Sequence, residues 1–555
     1  MTYWRLWYGL DLMDEAFYVT LPYRLVEGAR PFVDETSVTQ QTTAVLLYPF
    51  VKAYDAAVGM TGMFMFVRHL QFLLSLAVGS AVYASLRRSF DAGPAAFAAL
   101  TAVVFVPFAI HGLSYNSVGS SLFTAGCFLG LRSLTASSPR RSGRRLAGIC
   151  HGVAAFAYPP LAGAVAVTLV ARLALRRGRI RDELVQYGLP ALAVPVLGML
   201  ALVLAAGASN VVHDYADSSR YLGQAGGISK LGTVFSQQWS AFSFWFVVFP
   251  ALGLVGVLWR FARRLSVPVL ALLPFAFLPR HPIFFASSLE YAAHYGWLAL
   301  PLFPLVRRHA VAVRLLVAVW VPALVAGVTT AYSSANGGVN FGVGFFPAAI
   351  VATLFLVLAI REAGPRGGRG TFRALAGVPA VAALVLLAVF DTVPVYHDGG
   401  LTQLDARVAS GPFAGILTSA RKRAYLDRLQ DDLAPLGPRC TIVFFDDFPA
   451  GYLLTRARAD TNAAWIAHVA PGETRSYQDA LLRYYRRHGF PDTIVLERWI
   501  PFADPGTGRR ELYRTQAPLQ AALRRRYHLT LWRHTYAVYA RDGSSCRPAP
   551  QSQRA

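Results

Sequence analysis

An all-α polytopic membrane body followed by a C-terminal α/β domain is the fold class this sequence predicts, on three observations. The 555-residue chain is 55% hydrophobic and only 15% charged, whereas a soluble globular protein carries about 25% charged residues. Its apolar residues gather into runs that can cross roughly 30 Å of hydrocarbon, with short arginine clusters between them. From residue 391 onward that character is lost, and strand-like pieces alternate with helix-like ones. Three parts follow: residues 1–60 as an acidic first loop with a surface helix, 61–390 as the helical membrane domain, and 391–555 as a soluble α/β domain.

The formal charge of +23 is one that nucleic-acid binders also carry. Here the arginines sit in clusters between apolar runs, so a nucleic-acid partner is not expected and the bilayer is. Only Lys52, Lys230 and Lys422 are lysines, so nearly all the positive charge is arginine.

The first element is the stretch DLMDEAFYVTLPYRLVEGARPFVDE, with Asp11, Asp14, Glu15, Glu27, Asp34 and Glu35. Asp11, Asp14, Glu15 and Tyr18 have the spacing i, i+3, i+4, i+7, which predicts one shared helix face. Carboxylates crowded on one face repel, and at least one pKa rises, as suits a proton acceptor or a metal site. The plainer reading is that these acids only solvate an exposed loop. Gly28 and Pro31 break the chain before the second acidic pair, Asp34 and Glu35. A helix lying along the membrane surface is then predicted over QQTTAVLLYPFVKAYDAAVG, opened by Gln40 and Gln41.

About twelve spans are expected: near 61–86, 93–112, 117–135, 184–206, 239–259, 266–279, 293–306, 310–331, 343–360 and 374–390, with 146–175 broken into two at Tyr158–Pro160, where proline removes backbone donors. Arginine-rich loops at Arg87/Arg88, Arg140–Arg145, Arg176–Arg181, Arg260–Arg264, Arg307–His309 and Arg361–Arg373 alternate with loops poor in positive charge. The first set is expected in the cytoplasm, and the second, with 1–60 and the tail, outside. An outer N-terminal loop is either translocated unaided or preceded by a span, and a span upstream of the given start is the expectation.

In the tail, 441–448, 493–499, 529–534 and 537–542 have strand character, and 420–434, 474–489 and 511–526 read as amphipathic helices. That alternation predicts a small α/β domain. Cys440 and Cys546 lie in it and can pair in an oxidising compartment, or stay as two free thiols. No P-loop, no GxGxxG leading a helix and no HExxH occurs, so an ATP-driven pump or a zinc protease lacks its equipment.

The segments MDEAFY, GARPFVDE and LLYPF together resemble the first outer loop of GT-C glycosyltransferases, a superfamily that includes protein O-mannosyltransferases, the aminoarabinose transferase and actinobacterial cell-wall arabinosyl- and mannosyltransferases. HYGWLALPLFP (His294–Pro304) resembles a later outer helix end of that superfamily. The pair of short spans meeting at AYPP resembles its helical hairpin, without the basic residue often found at the tip. The resemblance implies a polyprenyl-phosphate sugar donor and transfer to an acceptor hydroxyl on the extracytoplasmic face of the plasma membrane. The acceptor is then a glycan, lipid, protein or small molecule.

It also implies Asp14 as general base, with Glu15 and Asp34 positioning the acceptor or sharing a divalent metal (Mg or Mn). Arg280, His281, His294 and Tyr295 are the candidates for the donor phosphate, with headgroup anchoring as the alternative for Arg280 and His294. Asp11, Tyr18, Gln40, Tyr115 and Asn116 are the candidates for sugar or acceptor. A transporter or flippase of lipid-linked saccharides, or a non-catalytic cell-envelope assembly protein, is the alternative. Ionisable groups within the spans would favour the transporter, and the acids here lie at the outer mouth instead.

Overall fold

The computed structural model describes all residues except 37, 136–140, 224–226, 241–244, 279–280, 335, 364–368, 446–447, 466–474, 498–517 and 549–555. Arg280 therefore lies outside the described residues. The chain forms two compact units. One comprises Met1–Arg5, Leu70–Ala201 and Ala216–Pro394, and the other Leu6–His69, Leu202–Tyr215 and Val395–Ala555.

The first unit is helical. Among the described residues five helices are long and apolar enough to cross a membrane: Met63–Leu86, Ile180–Ala206, Ala310–Ser333, Gly337–Ala363 and Leu375–Thr392. Ala92–Val104, Pro159–Leu175 and Trp245–Phe261 are shorter apolar helices. Other segments read as spans are helical but shorter or more polar, such as Ser266–Leu272 and Arg141–Ala157. The expected break at the proline pair is present: one helix ends at Ala157, Pro159–Leu161 forms a 3-10 turn, and a second helix runs Ala162–Leu175. Residues 207–238, read as a loop, are instead largely helical, as Ala208–Gly223 and Gly227–Ser240. Both are strongly amphipathic, and an amphipathic helix is stable where one face is covered.

Helix Phe341–Ala363 is buried along nearly its whole length, as a helix apolar all round must be. Its neighbours approach so closely that a Cβ on Gly342 would lie 2.2 Å from the Leu289 carbonyl oxygen, and one on Gly344 2.3 Å from the Ala326 carbonyl carbon. Small residues permit this backbone-to-backbone packing. A buried ion cluster ties four helices elsewhere in the unit. Glu183 accepts from Arg172 through Nε (3.0 Å) and Nη2 (2.6 Å) and from Arg144 at 3.3 Å, while Arg172 also reaches the Ser133 hydroxyl at 2.9 Å.

The second unit contains the helices Asp14–Val26 and Val38–Val58 and the sheet of the tail. The sheet order is Arg458–Ala459, Thr441–Phe445, Thr493–Glu497, Tyr536–Arg541, Tyr527–Trp532. The first three strands are parallel, and the last two join antiparallel. Helices Arg475–His488 and Pro518–Arg524 cover one face, packing Leu481, Leu482, Tyr485, Leu519 and Leu523 against Val443, Ile494 and Leu496. Cys440 and Cys546 form a disulfide, resolving the two readings of these thiols. On helix Ala420–Leu433, Asp432 accepts from Arg533 Nε (2.9 Å) and Nη2 (2.8 Å) and from the Tyr536 hydroxyl.

Candidate functional site

Within the second unit, three segments far apart in sequence meet: the loop around Leu10–Glu15, the turn Tyr396–Asp398 and Lys422. The helix expected to carry Asp11 starts only at Asp14. Asp11 precedes it, with Oδ1 accepting from the Met13 N–H (3.0 Å) and Oδ2 from the Glu15 N–H (2.6 Å). These first-turn donors lack partners inside the helix, and a carboxylate there satisfies them and complements the helix dipole. Capping, rather than a shared face, explains why an acid stands at this position.

Asp11 is buried, and its Oδ1 also lies 3.0 Å from His397 Nδ1. Burial pushes its pKa up, but the His397 charge and hydrogen bond, with the two N–H bonds, outweigh that and hold it below the ordinary aspartate range. His397 has φ 53°, in the left-handed region that non-glycine residues seldom occupy. Its ring stacks on Tyr396 with centroids 3.7 Å apart, and its carbonyl accepts from Lys422 Nζ. Lys422 also donates to the Leu10 carbonyl at 2.7 Å. Asp398 Oδ2 accepts from the Leu10 N–H at 2.8 Å and from the Thr418 hydroxyl at 2.6 Å.

The Tyr396 hydroxyl donates to Asp14 Oδ2 at 2.6 Å. Asp14 is half-buried, unlike Asp11 and Glu15. Glu15 is held by Arg68 in a two-pronged pair, Nε to Oε1 at 2.7 Å and Nη2 to Oε2 at 2.6 Å. Arg68 also donates to the Leu6 and Gly9 carbonyls at 2.5 and 2.6 Å. Arg68 lies on the apolar helix Met63–Leu86, so this pair fastens the acidic loop to the start of a membrane-length helix. Four carboxylates, Asp11, Asp14, Glu15 and Asp398, gather here, with Arg68 bonded to Glu15 and Lys422 Nζ 3.7 Å from Asp398.

Asp34 Oδ2 accepts from the Arg30 N–H at 2.8 Å and Arg30 Nε at 3.3 Å. Tyr18 is buried, its ring 6.0 Å from that of Phe17. Gln40 is half-buried. Its neighbour Gln41 accepts from the Phe32 N–H (2.5 Å) and donates to Asp214 (3.0 Å). Arg24 and Glu35 pair at 2.6 Å.

In the first unit, His281 lies between the Pro282 carbonyl (3.0 Å) and Glu290 (2.9 Å). Both contacts raise its pKa, the carbonyl first, against burial. His294 is half-buried, and the Tyr295 hydroxyl accepts from Thr353 at 3.1 Å. Tyr115 meets Tyr158 edge-on at 4.9 Å, and Asn116 is buried at the start of helix Tyr115–Thr135.

Asp11, Asp14 and His397 offer ligand atoms that all lie within 4.8 Å of one another. Two carboxylates with an imidazole suit Mn²⁺ better than Mg²⁺, which favours an all-oxygen shell. Tyr396, His397, Asp398 and Lys422 were not among the residues singled out from sequence. The YHDGG turn following the last apolar run, and a lone lysine in an arginine-rich tail, were the available signals.

No protein-family model matches the chain, and no curated protein matches it. Among solved structures it is similar to ArnT from Cupriavidus metallidurans bound to undecaprenyl phosphate, at 14% identity and TM-score 0.40, covering 99% of this chain and 98% of that one. It is also similar to the same protein in its apo state, at 15% identity and TM-score 0.32, covering 96% and 95%. At these TM-scores the superpositions are too loose to transfer any residue or ligand.

Proposed function

We propose that the protein is a membrane glycosyltransferase of GT-C type that moves a sugar from a polyprenyl-phosphate donor to an acceptor hydroxyl, with Asp14 as general base, on the extracytoplasmic side. The observation that carries this reading is the half-buried Asp14, oriented by the Tyr396 hydroxyl, in a carboxylate cluster fastened to the start of an apolar helix. The resemblance of its first loop to that superfamily supports it further.

Asp11 and Glu15 are buried and held by N–H donors, whereas Asp14, at the start of the helix, is half-buried and so can be reached by an incoming group. Tyr396 fixes its orientation, and Asp11 with His397 holds the loop beneath it. The acceptor hydroxyl gives its proton to Asp14 as its oxygen bonds to the anomeric carbon and the bond from that carbon to the phosphate oxygen breaks. Positive charge builds on the sugar ring in such a transition state, and fixed negative groups nearby stabilise it. Asp11, Asp14 and His397 would hold a divalent ion, which when bound supplies positive charge for the departing phosphate. The disulfide supports an oxidising, extracytoplasmic setting for the tail, and charge asymmetry between loops supports the same orientation.

The test is turnover of labelled polyprenyl-phosphate sugars by the full-length protein, comparing wild type with Asp14→Asn. Loss of sugar from the lipid in wild type, reduced at least about a hundredfold in the variant, is expected. Equal turnover by both removes Asp14 as the base, and no turnover with any donor by a folded wild type removes the reading.

A further inference from the structure

Lys230 is one of the three lysines in the chain and lies on helix Gly227–Ser240 in the first unit. It is only 8% exposed, and its ammonium has no hydrogen-bond partner among the described residues. Its Nζ stands 5.9 Å from the centroid of the Tyr332 ring, near the outer limit of a cation–π contact. A buried charge without a counter-ion is unfavourable and is normally paired. Such a cation is therefore the kind of group an anionic ligand would satisfy.

The ammonium is also positioned. Lys230, Val234 and Gln238 follow one another at i, i+4, i+8 and are all buried, so one face of the helix is packed. At its far end Gln237 accepts from the Gly338 N–H at 2.6 Å, and Gln238 donates to the Gly338 carbonyl at 3.3 Å. Gly338 belongs to the 3-10 turn Gly337–Asn340 that opens the membrane-length helix Gly337–Ala363, which follows Ala310–Ser333 in the chain. Tyr332, 42% exposed, occupies the last turn of the first of them. Lys230 thus stands beside the ends of two membrane-length helices, where tyrosines are favoured. A compact ammonium with a phenol beside it suits a phosphate oxygen.

We propose that Lys230 binds a phosphate ester at this helix end, beside Tyr332. This rests on the transferase reading only in taking the lipid-phosphate donor as the phosphate's source. Arg280 and His281 then need not be its only cations.

Binding of polyprenyl phosphate to the purified full-length protein would be measured by native mass spectrometry, beside polyprenol, with inorganic phosphate and phosphatidylglycerol as competitors. Lys230→Gln should weaken polyprenyl phosphate at least about tenfold and leave polyprenol unchanged, while Lys230→Arg retains binding. Competition by inorganic phosphate in wild type, lost in Lys230→Gln, supports recognition of the phosphate itself. Equal competition by phosphatidylglycerol overturns the lipid-phosphate donor as the source. Unchanged binding in Lys230→Gln, or equal loss of polyprenol, overturns the site.

A melting temperature without ligand that is unchanged or raised in Lys230→Gln is expected, and a large drop would mark a structural lysine and overturn the proposal. Lys230-dependent binding without sugar turnover would leave this site standing while the transferase reading falls. Normal turnover and binding in Lys230→Gln would do the reverse.

Discussion

Asp11 and His397 are 386 residues apart in sequence, yet Oδ1 and Nδ1 meet at 3.0 Å. The contact joins the first loop to the turn after the last apolar helix and closes the cluster beneath Asp14.

The Asp11 pKa is depressed in the folded protein, so the unfolded chain binds its proton more tightly. Its contribution to stability is therefore complete above the ordinary aspartate range and is lost as pH falls through and below about 4. Melting temperatures of wild type should drop over that window, and those of Asp11→Asn should be lower at neutral pH and drop less. His397→Ala should reduce the same acid-range dependence, leaving the share due to the Met13 and Glu15 N–H bonds. A variant whose melting profile keeps the wild-type slope would show that the pair is not coupled in this way.

Removing one partner of a buried ion pair strands the other charge, at a cost of about 3–5 kcal/mol. Arg68→Ala should therefore lower the unfolding midpoint strongly, because Glu15 and two carbonyls lose their donor together. Arg68→Met combined with Glu15→Gln should recover part of that loss. If Arg68→Ala melts like wild type, the pair is not what fastens the loop.

Asp432 behaves in the tail as Asp11 does in the cluster. Burial raises its pKa, but hydrogen bonds from Arg533 and Tyr536 and the Arg533 charge bring it below the usual value. Stability from this contact is present above about pH 4 and falls away beneath it. Asp432→Asn should destabilise the protein by about 2–3 kcal/mol at neutral pH, read by chemical denaturation. A loss that persists undiminished below pH 3 would argue against a charge effect.

A divalent ion held by Asp11, Asp14 and His397 would be removed by chelation. Treatment with chelator followed by Mn²⁺ should restore sugar transfer and raise the melting temperature in wild type, and His397→Ala should lose both responses. Transfer indifferent to chelator, with no thermal response to Mn²⁺, would leave the cluster working through its own charges.

Much of the fold is written in short-range chemistry, and the site is only half so. The apolar runs, the YPP break and the four tail strands were legible because hydrophobicity, proline and β-branched residues act locally. Helix Gly227–Ser240 was missed because its polar composition reads as a loop until one face is covered by the 337–340 turn. Asp11, Asp14 and Glu15 were legible as a group, but their division of labour was not. That division depends on Arg68, Tyr396, His397 and Lys422, which approach from 53 or more positions away, and no local pattern encodes such contacts. Spacing alone placed Asp11 on a helix that in fact begins three residues later.

Lys422 illustrates how far the tail depends on the opening loop. Its ammonium, on the tail helix Ala420–Leu433, is satisfied by the Leu10 and His397 carbonyls, and the Leu10 N–H is satisfied by Asp398. A tail expressed alone would keep this lysine without one of its acceptors. A hybrid joining this tail to another protein's first loop would need a carbonyl and an N–H at the same two points. The tail helix thus draws part of its polar bonding from the opening loop.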